Sequence, residues 1–415
     1  MTKVRVLLSA FACDPYFGSD EEVGWQWARQ LSDRGFDVSV VTRKSQKAAI
    51  EAHVAKTGEC GRVRFIYVDL DGLHAILKRV NRRNHLYYYI WQWYAFKAAV
   101  AAHRVSRFDL VHHVTWVSFR QPSFMWALGI PFIFGPVAGG DEIPKGYAHA
   151  FSARQRGIEF LRGALNALVR FDPMMRLTYA RASRIFLTSE GHRRRVPAAA
   201  AARARVELAI GCDTPPASPD LPARRHAGPA GGRLLFVGRC IGLKGMDIGL
   251  RVFAAAHRKC PGLTLTIIGD GVDRPRWQRL AQELGVADSV QWLGWLSKAE
   301  VMRCYPDYDM LFYPSLRDSG GFVVLEALQG GLPVVCFKLG GPGVVVDDSC
   351  GAAVEAGANI DETITRFADA VLRTLARTAS DSQLPGACRA RVARFSWSAL
   401  IDRIYGDPSD LADLK

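Results

Sequence analysis

The sequence predicts an α/β protein made of two doubly wound lobes that face a central cleft. Short runs of β-branched and apolar residues alternate with helical stretches along the chain, which is typical of parallel sheets covered on both faces. This alternation stops at a proline-rich segment, residues 211–232, and then starts again. The chain has 415 residues, which is enough for more than one hydrophobic core.

The first lobe opens with a strand–helix–strand unit. The helix is predicted to start at a capping box formed by Ser19 and Glu22 and to end at Gly35. It lies between strand-like runs at residues 3–10 and 37–42. Further strands of this lobe are predicted at residues 64–70, 109–116, 131–136 and 184–189.

The second lobe repeats the same pattern after the linker. Its strands are predicted at residues 233–238, 263–269, 289–294, 309–315 and 332–337, and a last helix at 391–406. We therefore divide the chain into a first lobe at 1–210, a linker at 211–232, a second lobe at 233–390 and a C-terminal helical segment at 391–415.

The composition excludes several classes of protein. No apolar run reaches the roughly 18 residues that a membrane-spanning helix needs. The N-terminus enters a strand-like run at once, without the features of a secretory signal. The nine cysteines are scattered with no C-x-x-C pair, which argues against a disulfide framework or a thiolate zinc site and suits a reducing cytosol.

The positive charge is concentrated in the first half of the chain. Residues 1–210 carry 31 Lys and Arg against 17 Asp and Glu, whereas residues 211–415 carry 23 of each. A basic lobe favours an anionic partner, such as nucleic acid, anionic lipid or a phosphorylated substrate. Nucleic acid is disfavoured because the aromatic residues are not interleaved with the cations as a base-stacking surface requires.

Residues 315–328, "SLRDSGGFVVLEAL", predict an anion-binding turn between a strand and a helix. The pair Gly320-Gly321 lets a ligand approach the backbone, and the first amides of the helix have no partner within it. A diphosphate could bind there. Asp318 and Glu326, on either side of the glycines, are spaced to accept hydrogen bonds from hydroxyls on two parts of one ligand.

A second cluster, "FVGRCIGLKGMD" at residues 236–247, also links a strand to a helix. Arg239 and Lys244 can converge at the carboxyl end of the strand. Two cations beside glycines are suited to stabilise a departing pyrophosphate.

These two blocks resemble the signature sequences of the glycosyltransferase family 4 type. The resemblance extends to the first strand–helix–strand unit, to residues 112–140 and to the final helix. It implies the GT-B fold, with two Rossmann-like lobes and the last helix returning to the first lobe. It also implies a nucleotide-sugar donor, a retaining reaction and acceptor binding by the first lobe.

The resemblance assigns roles to individual residues. Arg239 and Lys244 match the residues that hold the donor pyrophosphate. Asp318 matches the acid that contacts the donor sugar, and Glu326 matches the acid that binds the nucleotide ribose. The family has Glu where this chain has Asp318, so the carboxylate is one methylene shorter. The remaining donor contacts implied by the resemblance are the glycine-turn amides of Gly320, Gly321 and Phe322 and the loop glycine Gly18.

The first lobe supplies two further candidates. Many relatives carry an H-x-H motif after the fourth strand, whereas this chain has adjacent His112 and His113. Adjacent strand residues point to opposite faces, so only one can enter the cleft. His113 is preferred to His112 for that role, and a core or strand-end imidazole bonded to the backbone is an equal alternative for either. Arg120 is an acceptor-side candidate by resemblance alone.

The implied mechanism is departure of the pyrophosphate and attack by the acceptor hydroxyl on the same face, without a cofactor and without a metal. The D-x-D strings at Asp69/Asp71 and Asp307/Asp309 are interpreted as structural. The basic first lobe suits a lipid-linked or phosphorylated glycan in polysaccharide or glycoconjugate assembly. The enzyme would then lie in the cytoplasm, peripherally at the inner face of the membrane, and the aromatic run 87–96 is either an interfacial surface or a buried helix.

Two other functions remain compatible with the sequence. A catalytically silent relative could serve as a basic binding or scaffolding subunit, and the shorter acid at Asp318 favours that reading. A nucleotide-sugar epimerase or phosphorylase-like enzyme could share the same fold and donor site.

Overall fold

The computed structural model describes residues 3–16, 20–70, 85–144, 146–147, 151, 153–213 and 231–406. Contacts between residues divide the chain into two compact units. The first consists of Met1–Gly140, Ala164–Ile210 and Trp397–Lys415, and the second of Asp141–Gly163 and Gly211–Ser396. Each unit contains its own parallel sheet.

The first unit contains a seven-stranded sheet in the order β3-β2-β1-β4-β5-β6-β7. All neighbouring strands in it are parallel. The strands are β1 (Arg5–Ser9), β2 (Asp37–Arg43), β3 (Arg64–Val68), β4 (Leu110–His113), β5 (Phe132–Val137), β6 (Arg184–Leu187) and β7 (Arg205–Val206).

The second unit contains a six-stranded parallel sheet in the order β10-β9-β8-β11-β12-β13. Its strands are β8 (Arg233–Val237), β9 (Thr264–Ile268), β10 (Val290–Gly294), β11 (Met310–Tyr313), β12 (Val334–Phe337) and β13 (Gly351–Val354). The prediction of two doubly wound parallel α/β lobes is therefore confirmed.

The α-helices alternate with these strands. They are α1 (Asp20–Asp33), α2 (Lys47–Thr57), α3 (His85–Ser106), α4 (Ala153–Leu168), α5 (Pro173–Arg181), α6 (Ala198–Arg203), α7 (Met246–Lys259), α8 (Arg274–Glu283), α9 (Lys298–Cys304), α10 (Phe322–Gln329), α11 (Gly340–Val345), α12 (Ile360–Ser380), α13 (Leu384–Ala393) and α14 (Trp397–Tyr405).

In both sheets the chain adds successive strands first on one side of the first strand and then on the other side. In the second sheet the chain builds outward from β8 through β9 to β10, and then returns to place β11 on the other side of β8. Loops after β8 and β11 therefore leave in opposite directions and open a crevice at the carboxyl ends of these strands, where ligands bind in open α/β sheets. In the first sheet this change of side lies between β1 and β4.

The aromatic run 87–96 belongs mainly to the core of the first unit. Tyr88 and Trp91 are fully buried in α3, and their rings meet the edge of Phe11 at centroid distances of 4.8 and 4.9 Å. Such edge-to-face pairs add to the free energy of apolar burial. Trp93, on the other side of α3, is 48% exposed. The structure therefore favours the buried helix over a broad interfacial surface.

Three local features differ from the sequence prediction. The short strands β7 and β13 were not predicted, because one has two residues and the other is the Gly- and Ala-rich edge strand "GAAV". The single helix predicted over 391–406 is interrupted between α13 and α14. Residues 141–163, which the sequence placed in the first lobe, group with the second unit.

Within the described residues, no helix combines the length and the apolar character required to cross a membrane.

Candidate active site

The two glycine-containing loops predicted from the sequence meet at the crevice of the second sheet. Residues 238–245 follow β8 and residues 314–321 follow β11, and these strands are direct neighbours, with Leu235 paired to Leu311. Because the two strands are parallel, both loops start at the same end of the sheet, where the carboxyl ends of the strands lie. The two loops predicted to hold the donor are therefore brought together by sheet topology.

Backbone packing fixes the loop that carries Lys244. The amide of Leu316 donates to the carbonyl oxygen of Leu243 at 3.0 Å. Gly245 follows with a left-handed φ of 69°, and a Cβ at this position would collide with the carbonyl oxygen of Pro314. Only glycine allows this approach at low cost, and it directs the Lys244 side chain toward the loop after β11.

Lys244, Asp318 and Tyr313 form a closed hydrogen-bonded triangle. The Nζ atom of Lys244 lies 2.6 Å from Asp318 Oδ2 and 2.6 Å from the Tyr313 hydroxyl oxygen. That hydroxyl donates to Asp318 Oδ2 at 2.5 Å. The side chains of Lys244 and Asp318 are 16% and 20% exposed, so the ion pair lies mostly out of solvent. Charge-assisted hydrogen bonds of this length are strong.

The other carboxylate oxygen of Asp318 orders the glycine turn. Asp318 Oδ1 accepts hydrogen bonds from the amides of Gly320 at 3.2 Å and Gly321 at 3.0 Å. Gly321 has a φ of 81° and begins α10, so its left-handed conformation aims the helix N-terminus at the crevice. Phe322 is the first residue of that helix.

The triangle controls the ionisation of Asp318 and Tyr313. Burial raises the pKa of Asp318, but the Lys244 ammonium and the hydrogen bonds from Lys244, Tyr313 and Gly321 outweigh it, so the net pKa lies below its usual value. Burial first and the Asp318 charge second raise the pKa of Tyr313 well above its usual value. Asp318 is therefore an anion, and Tyr313 is a neutral donor.

A third loop, residues 339–343, packs against the backbone of the glycine turn and was not predicted as part of the site. The amide of Gly341 donates to the Asp318 carbonyl oxygen at 2.8 Å. A Cβ on Gly340 would collide with the same oxygen, and one on Gly341 with that of Gly320. The signal was present in the "LGGPG" string at residues 339–343.

Arg239 lies in the loop after β8, next to Gly238. Its side chain is exposed and, among the described residues, makes no ion pair. The loop itself is held in place by the segment after β9. The amide of Asp273 donates a hydrogen bond to the carbonyl oxygen of Cys240 at 2.9 Å, and the amide of Gly242 donates to Asp273 Oδ2 at 2.7 Å. A fixed loop with a free guanidinium group leaves Arg239 able to bind an anion.

Glu326 lies on α10, separate from the triangle. Its Oε1 atom lies 3.5 Å from Lys298 Nζ, and its Oε2 atom accepts a long hydrogen bond of 3.4 Å from the Tyr305 hydroxyl. Burial, followed by the Glu326 charge, raises the pKa of Tyr305 well above its usual value. The two predicted acids therefore have different partners, although the same turn and helix carry both.

Asp141 and Glu159 contact these loops, and neither was predicted from the sequence. Ser319 donates to Asp141 Oδ2 at 2.7 Å. The Arg317 guanidinium binds both carboxylate oxygens of Glu159, at 2.6 and 2.9 Å. No local pattern could have found these pairs, because more than 150 positions separate the partners.

In the first unit, His112 and His113 are both fully buried. Burial lowers the pKa of each to about 3. His112 is therefore neutral: its Nε2–H donates to the Gly135 carbonyl at 2.8 Å and its Nδ1 accepts from the Tyr405 hydroxyl at 3.0 Å. His113 Nε2 lies 2.9 Å from the Tyr88 hydroxyl oxygen, and its Nδ1 has no hydrogen-bond partner within the described residues.

The other predicted positions are placed as follows. The Arg120 guanidinium lies over the ring of Phe119, 5.9 Å from its centroid. Asp309 directly precedes β11, and its Oδ2 accepts a hydrogen bond at 2.8 Å from the amide of Arg233, the first residue of β8. This pair lies at the amino ends of the strands, opposite the two glycine-containing loops. Gly18, Ser19 and Asp71 lie outside the described residues. Among the residues that are described, no group of three or more His, Cys, Asp or Glu could hold a metal ion.

Two family models match the chain. The one described as "Glycosyl transferase 4-like domain" matches residues 22–211, and the one described as "Glycosyl transferases group 1" matches residues 229–380. A D-inositol 3-phosphate glycosyltransferase from Mycolicibacterium smegmatis is 29% identical over 409 residues, which cover 92% of this chain and 84% of that protein.

Solved structures show the same fold. Sucrose-phosphate synthase from Thermosynechococcus elongatus is similar with a TM-score of 0.62 at 18% identity, and the match covers 100% of both chains. Alr3699/HepE from Anabaena, solved in complex with UDP, has a TM-score of 0.58 at 15% identity, covering 98% of this chain and 100% of that one.

Proposed function

Because this chain is a glycosyltransferase of the family 4 type with the GT-B fold, we propose that it transfers a hexosyl group, with retention of configuration, from a nucleotide-diphosphate sugar to an acceptor hydroxyl. The observation that carries the proposal is the Lys244–Asp318 pair, which lies at the crevice of the second sheet beside a glycine turn.

The donor diphosphate is held by cations and backbone amides. Lys244 and Arg239 supply two positive charges, and the N-terminus of α10 at Gly321 supplies a helix dipole. Lys244 leaves Asp318 for a phosphate oxygen when the donor binds. Asp318, already an anion, is then free to accept hydrogen bonds from the sugar hydroxyls, and Glu326 accepts those of the ribose.

The reaction proceeds by cleavage of the bond between the sugar anomeric carbon and the phosphate oxygen. Lys244 and Arg239 stabilise the negative charge that develops on the departing diphosphate. The acceptor oxygen bonds to the anomeric carbon on the same face, and its proton passes to a donor phosphate oxygen. In this scheme the protein supplies electrostatic stabilisation and neither a nucleophile nor a metal.

For the acceptor we propose a phosphorylated or lipid-linked glycan used in polysaccharide or glycoconjugate assembly. The basic first half of the chain favours an anionic acceptor. The relative from Mycolicibacterium smegmatis is named for inositol 3-phosphate, which is an anionic acceptor with free hydroxyls. Glycosyl transfer in the cytoplasm, at the inner face of the membrane, fits this acceptor class.

A thermal-shift screen tests the donor. Nucleotide-diphosphate sugars are added to the purified chain with and without EDTA, because a ligand that binds only the folded protein raises its melting temperature. We expect one donor class to raise the melting temperature without a metal, and Lys244→Ala to abolish that rise. If no nucleotide-diphosphate sugar shifts the melting temperature, the proposed donor site is wrong.

One observation favours a second candidate, a catalytically silent binding subunit. Lys244 and Asp318 neutralise each other in this structure, and Asp318 replaces the longer acid of the family. A silent relative would bind nucleotide-diphosphate sugars without turnover. Release of the free nucleotide diphosphate in the presence of acceptor extracts distinguishes the two candidates.

A further inference from the structure

Helix α4 (Ala153–Leu168) turns its apolar side toward solvent. Phe160 is 81% exposed and Leu168 is 62% exposed. In a surface helix of a globular protein the apolar side normally faces the core. The large exposed apolar side chains of this helix, which we call the apolar face, are Ile158, Phe160, Leu161, Leu165 and Leu168.

The apolar face is one continuous strip. Residues 158, 161, 165 and 168 are three or four positions apart, which places them along one side of a helix. Phe160 widens that side, and Phe171, just beyond the helix, is 66% exposed. Singly scattered apolar residues need no explanation, but a contiguous strip marks an interaction surface.

The opposite side of α4 is polar and packed against the donor-site loop. Glu159 binds the Arg317 guanidinium through both carboxylate oxygens and also accepts a hydrogen bond from Gln155 at 3.0 Å. Arg317 directly precedes Asp318 in the chain. The helix is therefore tied through its polar side to the loop that carries the donor-site acid.

The charges around the apolar face have one sign. The single acid of residues 153–171, Glu159, is paired with both Arg317 and Arg162, and neither it nor Arg162 is exposed on the apolar face. Arg156 is exposed on the helix. A helix with an apolar side and flanking cations binds at the boundary between lipid headgroups and acyl chains, and anionic headgroups strengthen the binding.

We propose that the apolar face of α4 docks onto an anionic lipid surface. Phe160, Leu161 and Leu168 enter the acyl boundary, while the exposed Arg156 side chain extends to the lipid phosphates. Because Glu159 ties this helix to Arg317, docking places the donor-site loop of the second unit next to the lipid. Docking itself requires no glycosyl transfer, so this inference and the proposed function can fail separately.

A second copy of the chain is a poorer occupant of the same face. A symmetric dimer brings the same surface of each copy together, so Arg156 of one copy would approach Arg156 of the other. No acid on the exposed side of residues 153–171 would offset that repulsion, since Glu159 is engaged. An anionic lipid surface is complementary to both the apolar strip and the exposed Arg156.

The test is flotation of the full chain with lipid vesicles. One set contains phosphatidylcholine alone, and the other contains about one third phosphatidylglycerol. We expect binding to the anionic vesicles that weakens with salt, and a loss of about tenfold or more in the variant Phe160→Ser/Leu161→Ser/Leu165→Ser. The matched control Val105→Ser/Val272→Ser removes two exposed apolar side chains elsewhere and keeps wild-type binding.

Each contrary result overturns the docking proposal. It fails if the wild-type chain does not float with anionic vesicles, if it binds pure phosphatidylcholine equally well, or if the triple variant binds as the wild type does. Light scattering tests the alternative that a second copy of the chain occupies the face. If the wild-type chain is a dimer that does not bind vesicles, and the triple variant is a monomer, the face is a dimer interface. Melting temperatures confirm that the variants fold, and donor binding without vesicles reports separately on the proposed function.

Discussion

Lys244 Nζ lies 2.6 Å from Asp318 Oδ2, and 74 positions separate the two residues in the chain. The pair joins the two loops at the crevice of the second sheet, and Tyr313 closes it through hydrogen bonds to both. Before a donor binds, the cation expected to hold the diphosphate is thus kept in place by the acid expected to contact the sugar. The following predictions begin with this pair.

Replacing Lys244 with alanine removes the charge that we propose stabilises the departing diphosphate. We expect Lys244→Ala to lower the turnover number by about 100-fold or more, measured as release of nucleotide diphosphate from the cognate donor. Lys338→Ala, which removes an exposed lysine paired with Glu355, is the control. A decrease smaller than about threefold would contradict the role of Lys244.

Replacing Tyr313 with phenylalanine removes the hydroxyl that donates to Asp318. Because that hydrogen bond helps to lower the pKa of Asp318, its loss raises this pKa, and the acidic limb of the kcat/KM profile moves to higher pH. Tyr308→Phe, at a half-buried tyrosine outside the triangle, should leave the profile unchanged. An unmoved acidic limb in Tyr313→Phe would show that Asp318 does not govern it.

Gly245 and Gly285 form a matched pair for measuring the close approach of the two loops that follow β8 and β11. Both have a φ of 69°, but a Cβ on Gly285 meets open space whereas one on Gly245 meets Pro314. We expect Gly285→Ala to lower the free energy of unfolding by about 1 kcal/mol, from backbone strain alone. Gly245→Ala should cost at least about 2 kcal/mol and weaken donor binding, as measured by chemical denaturation and thermal shift. Equal costs would show that the loops do not need this contact.

The two buried histidines make the first unit sensitive to acid. Burial lowers the pKa of His113 from its usual 6.5 to about 3, so between these values the unfolded chain binds a proton that the folded unit does not. The free energy of unfolding therefore falls as pH drops from 6.5 toward 3, by up to about 1.4 kcal/mol per pH unit for each such histidine.

Thermal unfolding between pH 7 and pH 5 measures this dependence. His113→Gln should reduce the slope of stability against pH. An unchanged slope in His113→Gln would mean that this imidazole is protonated in the folded state.

The proximity of the predicted residues could be inferred from the sequence where one local segment carries both a residue and its partner. Asp318, Gly320 and Gly321 lie in four consecutive positions, so a strand-to-helix turn with glycines was enough to place them together. The convergence of Lys244 with Asp318 followed from the family resemblance and from parallel strands sharing an edge. Tyr313 was missed because a tyrosine in a buried strand reads as core, and only its hydroxyl contacts reveal another role.

The sequence by itself determined the alternation of strands and helices, the two lobes, the glycine turns and the positive charge of the first half, because each depends on residue type and local spacing. The tertiary structure alone decided which distant side chains meet: that residues 141–163 join the second unit, that Arg317 binds Glu159, and that α4 exposes its apolar side. Such contacts depend on how the chain returns to itself in three dimensions. The residue pattern of one segment does not show which distant segment will pack against it.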